Sequence, residues 1–162
     1  MKKTIKKKLL SHFYIFTLGI LSSLSLPPYN FFLVNFFTFS ALFIFFVKQK
    51  FSLTQKEYFL YGWMFGFGYF ISNLYWITNS LTFEDIFKHL IPFALVLIPL
   101  FLGLFYGLST LTFSFLNPKK NFLSILILVT SLSIFEYIRS FVFGGFPWNL
   151  ISFSFVNYLE FI

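Results

Sequence analysis

Apolar residues in this chain come in long unbroken runs, not at the two-residue or three-to-four-residue intervals that mark half-buried strands and helices. The first run, 9–26, carries no charge, although Ser11, His12, Thr17, Ser22, Ser23 and Ser25 dot it. Pro27-Pro28-Tyr29-Asn30 closes it as a turn, because proline has no backbone N–H to continue a helix. A second run, 31–47, follows at once, and others cover 58–81, 90–116 and 122–143. Each is long enough to cross about 30 Å of hydrocarbon at about 1.5 Å per residue. The segment from 150 onward is too short to do so. The pattern predicts an all-α fold: a polytopic transmembrane helix bundle of five spans and the start of a sixth, with no soluble domain anywhere in 1–162.

Composition agrees with lipid as the solvent. Of the 162 residues 58% are hydrophobic and 26% aromatic, Phe alone occurs 30 times, and 10% are charged. No water-soluble fold of this size buries that much apolar surface. A net charge of +7 would suit nucleic acid if it were clustered, but the lysines sit between the apolar runs. Nucleic acid is therefore not expected as a partner.

The same lysines predict orientation, since basic residues in short loops are retained on the cytoplasmic side. Lys2, Lys3, Lys6, Lys7 and Lys8 precede the first run, Lys48, Lys50 and Lys56 separate the second and third, and Lys119 and Lys120 separate the fourth and fifth. Only Lys88, beside Glu84 and Asp85, falls in a loop of the other face. The amino terminus is expected in the cytoplasm. The first run is longer than the apolar core of a signal peptide and ends in Ser-Leu-Pro-Pro, not an A-x-A site, so an uncleaved helix is expected.

Few residues offer chemistry. Glu136 and Arg139, three apart in the fifth run, share a helix face and form an expected intramembrane ion pair, with Arg139 near enough to the outer end to extend toward headgroups. Gly144-Gly145-Phe146-Pro147-Trp148-Asn149 then turns the chain sharply at the outer interface, where Trp148 is an aromatic-belt anchor or the rim of a lipid-binding groove. Tyr75-Trp76 carries the same two readings. Gly62 and Gly66, Gly68 and Ser72, and Gly103 and Gly107 make small-residue faces for close helix packing, and Asn73 and Asn79 are placed to bond across helices. His12 and His89 belong to opposite faces, and no spacing suits a metal, a phosphate loop or a Ser-His-acid triad. Cysteine is absent, so these residues hold neither a disulfide nor a thiol nucleophile.

In order, Gly19, the Leu26-Pro27-Pro28-Tyr29-Asn30 turn, Gly62-Trp63-Met64-Phe65-Gly66-Phe67-Gly68-Tyr69-Phe70, Tyr75-Trp76-Ile77, Glu136-Tyr137-Ile138-Arg139-Ser140 and Gly145-Phe146-Pro147-Trp148 resemble the amino-terminal membrane region of apolipoprotein N-acyltransferases. The sequence departs from that family after Trp148, where Ser152-Phe153-Ser154-Phe155 replaces a Gly-Tyr-Ser-Gln type of stretch. The resemblance implies a multi-pass protein of the bacterial inner membrane. It also implies an enzyme family that moves an acyl chain from phospholipid to the amino-terminal diacylglyceryl-cysteine of lipoproteins. In that family a nitrilase-like domain beyond the sixth span supplies a Glu, a Lys and a Cys that forms a thioester.

No catalytic residue is therefore expected among these 162, no cofactor is implied, and the chain is expected to be a truncated membrane portion, inactive alone. Its partners would be membrane phospholipid, a lipoprotein engaged through the catalytic domain and, if the gene is split, that domain on a separate chain. Gly145, Phe146, Pro147 and Trp148, with Tyr75 and Trp76, would border the lipid and substrate cleft. The alternative is a small self-contained membrane protein, a transporter subunit or assembly partner. Only Glu136 and Arg139 are fixed charges within the runs, which is sparse for translocation.

Overall fold

Thr54 shows how local sequence opens a helix here: its hydroxyl accepts from the Glu57 backbone N–H while the Glu57 carboxylate accepts from the Thr54 N–H, a capping box. That helix is the centre of the bundle. The computed structural model describes residues 2–116, 121–146 and 148–161. Within them run α1 (Lys2–Ser23), α2 (Leu33–Lys48), α3 (Gln55–Asn73), α4 (Ile77–Leu81), α5 (Ile91–Leu116), α6 (Asn121–Arg139) and α7 (Val142–Gly145), with 3₁₀ segments Asp85–Leu90 and Ile151–Phe161. The described residues contain no strand. The stretches Lys88–Leu116 and Phe122–Arg139 are long and apolar enough to cross a membrane, and Leu33–Lys48 is apolar but shorter.

Small residues set the packing. A Cβ built on Gly19 of α1 would lie 2.0 Å from the Phe65 carbonyl oxygen, and one on Gly68 of α3 would lie 2.3 Å from that of Phe16. The two backbones therefore meet without side chains between them. On the opposite face of α3, Gly62 presses on Thr110 and Gly66 on Gly103 of α5, and the Thr110 hydroxyl donates to the Tyr58 carbonyl (2.8 Å). The Trp63 indole N–H, which cannot be left unpaired in an apolar interior, donates to the Leu100 carbonyl (2.8 Å). α6 packs on α5, and α2 on α1. The core gathers Ile15, Leu42, Phe46, Phe65, Phe70 and Leu102, all fully buried.

α1 and α3 run parallel, pinned at both ends. At one end Lys8 pairs with Glu57 (2.7 Å), and at the other the Asn73 amide donates to the Ser23 carbonyl (3.2 Å). The Lys8 ammonium and the Thr54 N–H hold the Glu57 carboxyl below its ordinary range, and Glu57 in turn raises the Lys8 ammonium. Lys48, at the close of α2, and Lys50 and Lys56 in the connection to α3 and its first turn, belong to this same end. Lys119 and Lys120 lie outside the described residues.

Two apolar runs are not single helices. The run 58–81 breaks after Asn73, whose buried side chain is bonded to groups outside its own helix, and the chain turns at Leu74–Trp76 before the short α4. The run 122–143 breaks after Arg139, and the one-turn α7 ends with Gly144 and Gly145 at φ +75° and +81°. Hydrophobicity continues across both breaks, so the runs alone do not show them. The first run also stops being helical at Ser23, three residues before its apolar end.

Candidate functional site

Arg139 closes α6 as a fully buried residue, 0% exposed, a position in which a guanidinium requires partners for its donors. Its Nη2 donates to Glu136 Oε1 (3.3 Å), its Nη1 donates to the Trp148 carbonyl, and its central carbon lies 4.8 Å from the centre of the Phe70 ring. Glu136 Oε1 also accepts the backbone N–H of Ile151. The ion pair thus grips two points of the segment that follows it. Of the two readings the sequence allows, a pair that pins the helix or a guanidinium reaching toward headgroups, the geometry favours the first, since the carbonyl, the carboxylate and the aromatic face occupy the buried side chain.

A second set of bonds secures the same segment. The Tyr69 hydroxyl donates to the Asn149 carbonyl (3.1 Å), and the Asn149 amide donates to Asn73 Oδ1 (2.7 Å), joining the Asn73 bond to Ser23. Asn149 has φ +42°, a left-handed conformation that asparagine adopts more readily than other side-chain-bearing residues. The loop is therefore bonded directly to α3 and α6, and through Asn73 to α1, at the end of the bundle away from Lys8. Asn73 bonds across helices as its sequence suggests, whereas Asn79 is exposed. Tyr69 and Asn149 stand in motifs that the sequence singles out but carry no assigned role there, the only signal being an Asn beside a turn.

Of the six cleft candidates, three come together as rings. Phe146 stands 4.8 Å from Trp148 and 5.9 Å from Trp76, centre to centre. Gly145 supplies the left-handed turn that delivers Phe146, whose φ of −70° and ψ of 125° give the extended backbone that a following proline demands. Tyr75 is exposed beside this cluster, and Pro147 lies outside the described residues.

Beside the loop a groove of about 470 Å³ opens between α2 and α6. Phe39, Phe43, Leu128 and Leu132 make its apolar walls, and Ser133 and Glu136 give it a polar end. An apolar slot with a few polar groups at one end suits an alkyl chain carrying a polar head. Sequence reasoning points to Glu136 and to a groove near Trp148, but not to these walls, which depend on α2 and α6 being neighbours. Among the described residues no group of three or more His, Asp and Glu side chains comes together to hold a metal.

Residues 18–162 match the family model for the apolipoprotein N-acyltransferase N-terminal domain. The chain is 37% identical to an apolipoprotein N-acyltransferase of Allorhizobium ampelinum over 84% of its length, and 33% identical to one of Brucella suis over 86%. One from Rickettsia typhi is 39% identical over 86% of the chain. The chain spans 27% of the length of these relatives. A match over nearly the whole sequence, together with these identities, shows that the chain belongs to the apolipoprotein N-acyltransferase family.

Proposed function

We propose that these residues are the membrane portion of an apolipoprotein N-acyltransferase, an enzyme that moves an acyl chain from phospholipid to the amino-terminal diacylglyceryl-cysteine of lipoproteins. On this reading α1, α2, α3 with α4, α5 and α6 form five spans of a bacterial inner membrane, with the lysine-rich end in the cytoplasm. The observation that carries the proposal is the locked loop. Glu136 and Arg139 hold Trp148 and Ile151, so that the rings of Trp76, Phe146 and Trp148 gather at the end opposite Lys8 while Glu136 and Ile151 themselves line the α2–α6 groove. A held aromatic cluster, joined through its clamp to an apolar slot, suits an amphiphile, because rings at an interface cover the junction between its alkyl and polar parts.

These residues contain no thiol, so the acyl-thioester step falls outside them, and what they supply is the entry for lipid and lipoprotein. The 162-residue chain assayed alone is expected to give no acyl transfer. The test is photocrosslinking in phospholipid vesicles with a diacylated lipopeptide, using a benzophenone side chain at Phe146 or at Phe51, at the other end of the bundle. Lipopeptide adducts from position 146 in clear excess over position 51 support the reading. Equal or absent adducts at 146 overturn it.

A further inference from the structure

Two buried polar atoms at the α5–α6 contact have no hydrogen-bond partner among the described residues: the Tyr106 hydroxyl and Arg139 Nε. Their side chains are 5% and 0% exposed. Both residues line one small cavity of about 10 Å³, together with Glu136, Phe105, Leu132 and Phe135. A water needs a cavity of roughly 10–15 Å³ and two to four polar partners. Arg139 Nε can only donate, the Glu136 carboxylate only accepts, and the Tyr106 hydroxyl does both. A cation placed there would face the guanidinium and an anion the carboxylate, and any larger ligand exceeds the volume.

We infer that this cavity binds one water molecule, which accepts from Arg139 Nε and donates to Tyr106 Oη or to the Glu136 carboxylate. The water completes the guanidinium's set of partners and links α5 to the ion pair that clamps the loop. Tyr106 then becomes a positioning residue for Trp148 and Ile151, acting through the water and Arg139. This inference rests on the cavity and its polar atoms, and it stands apart from the acyltransfer proposal.

X-ray radiolytic footprinting of the intact chain in lipid nanodiscs tests it, because hydroxyl radicals formed from a bound water oxidise the side chain beside it. Tyr106 is expected to be labelled several-fold faster than Phe113 and Tyr58, which are equally hidden from bulk solvent at 1% and 3% exposure. A bulky radical scavenger in the buffer should suppress labelling of exposed Tyr75 and leave that of Tyr106. Labelling of Tyr106 no faster than Phe113, or suppression of Tyr106 together with Tyr75, overturns the inference.

Discussion

Arg139 concentrates in one side chain what sequence can and cannot tell. The spacing of three residues to Glu136 is legible, because it places both groups on one helix face. The other partners, a carbonyl at Trp148 and an N–H at Ile151, are main-chain groups, and every residue carries those, so no pattern announces them. Their involvement changes the expected cost of mutation. Arg139→Ala strands the Glu136 carboxylate in an apolar setting and frees the Trp148 carbonyl, and removal of one partner from a buried pair costs about 3–5 kcal/mol. Lys88→Ala removes an ammonium paired with Asp85 at 2.6 Å, but both side chains are more than half exposed, and such pairs contribute about 0–1 kcal/mol. Thermal melting of the purified variants in detergent should lower the midpoint clearly for Arg139→Ala and hardly for Lys88→Ala. Equal shifts would contradict the clamp.

At the scale of elements, the small-residue faces were legible because glycines four apart on a long apolar helix leave room for a neighbouring backbone, and Gly62, Gly66 and Gly103 are used in this way. Helix ends were not. α3 stops at Asn73 because of bonds to Ser23 and Asn149, which are distant in sequence, while the local composition stays apolar past it. The start of α3 is better specified, and it carries a pH dependence. Glu57 titrates below its ordinary range in the folded chain because Lys8 and the Thr54 N–H favour its charged form. Its contribution is therefore present above the ordinary carboxylate range and is lost as pH falls through the lowered folded value. Lys8 is raised, so its share is full below the ordinary lysine range and is lost only as pH rises through that raised value. Between these limits the α1–α3 clamp is intact. The melting midpoint of the parent should fall as the buffer is taken from about pH 6 to about pH 3, and Glu57→Gln should start lower and show a flatter acid limb. An unchanged acid limb in Glu57→Gln would assign the loss to other groups.

For the whole molecule, the number and order of the long helices follow from the apolar runs, but their lateral arrangement does not, and the α2–α6 groove exists only because of that arrangement. The parallel pairing of α1 with α3 requires α2 to run back between their ends. This gathers Lys8, Lys48, Lys50 and Lys56 at one end and Tyr75, Phe146 and Trp148 at the other. Transfer of several ammonium groups across hydrocarbon is far less favourable than transfer of an aromatic loop, so the lysine-rich end is expected to stay in the cytoplasm. The absence of cysteine makes the test clean, since each substitution supplies the only thiol. Tyr75→Cys and Phe51→Cys both replace exposed rings, at 59% and 99% exposure, on opposite ends. In intact spheroplasts a membrane-impermeant maleimide should label position 75 at once and position 51 only after lysis. If both thiols react before lysis, or both only after it, the two ends do not face opposite compartments. The proposed role in acyltransfer would then lose the outward-facing loop on which it depends.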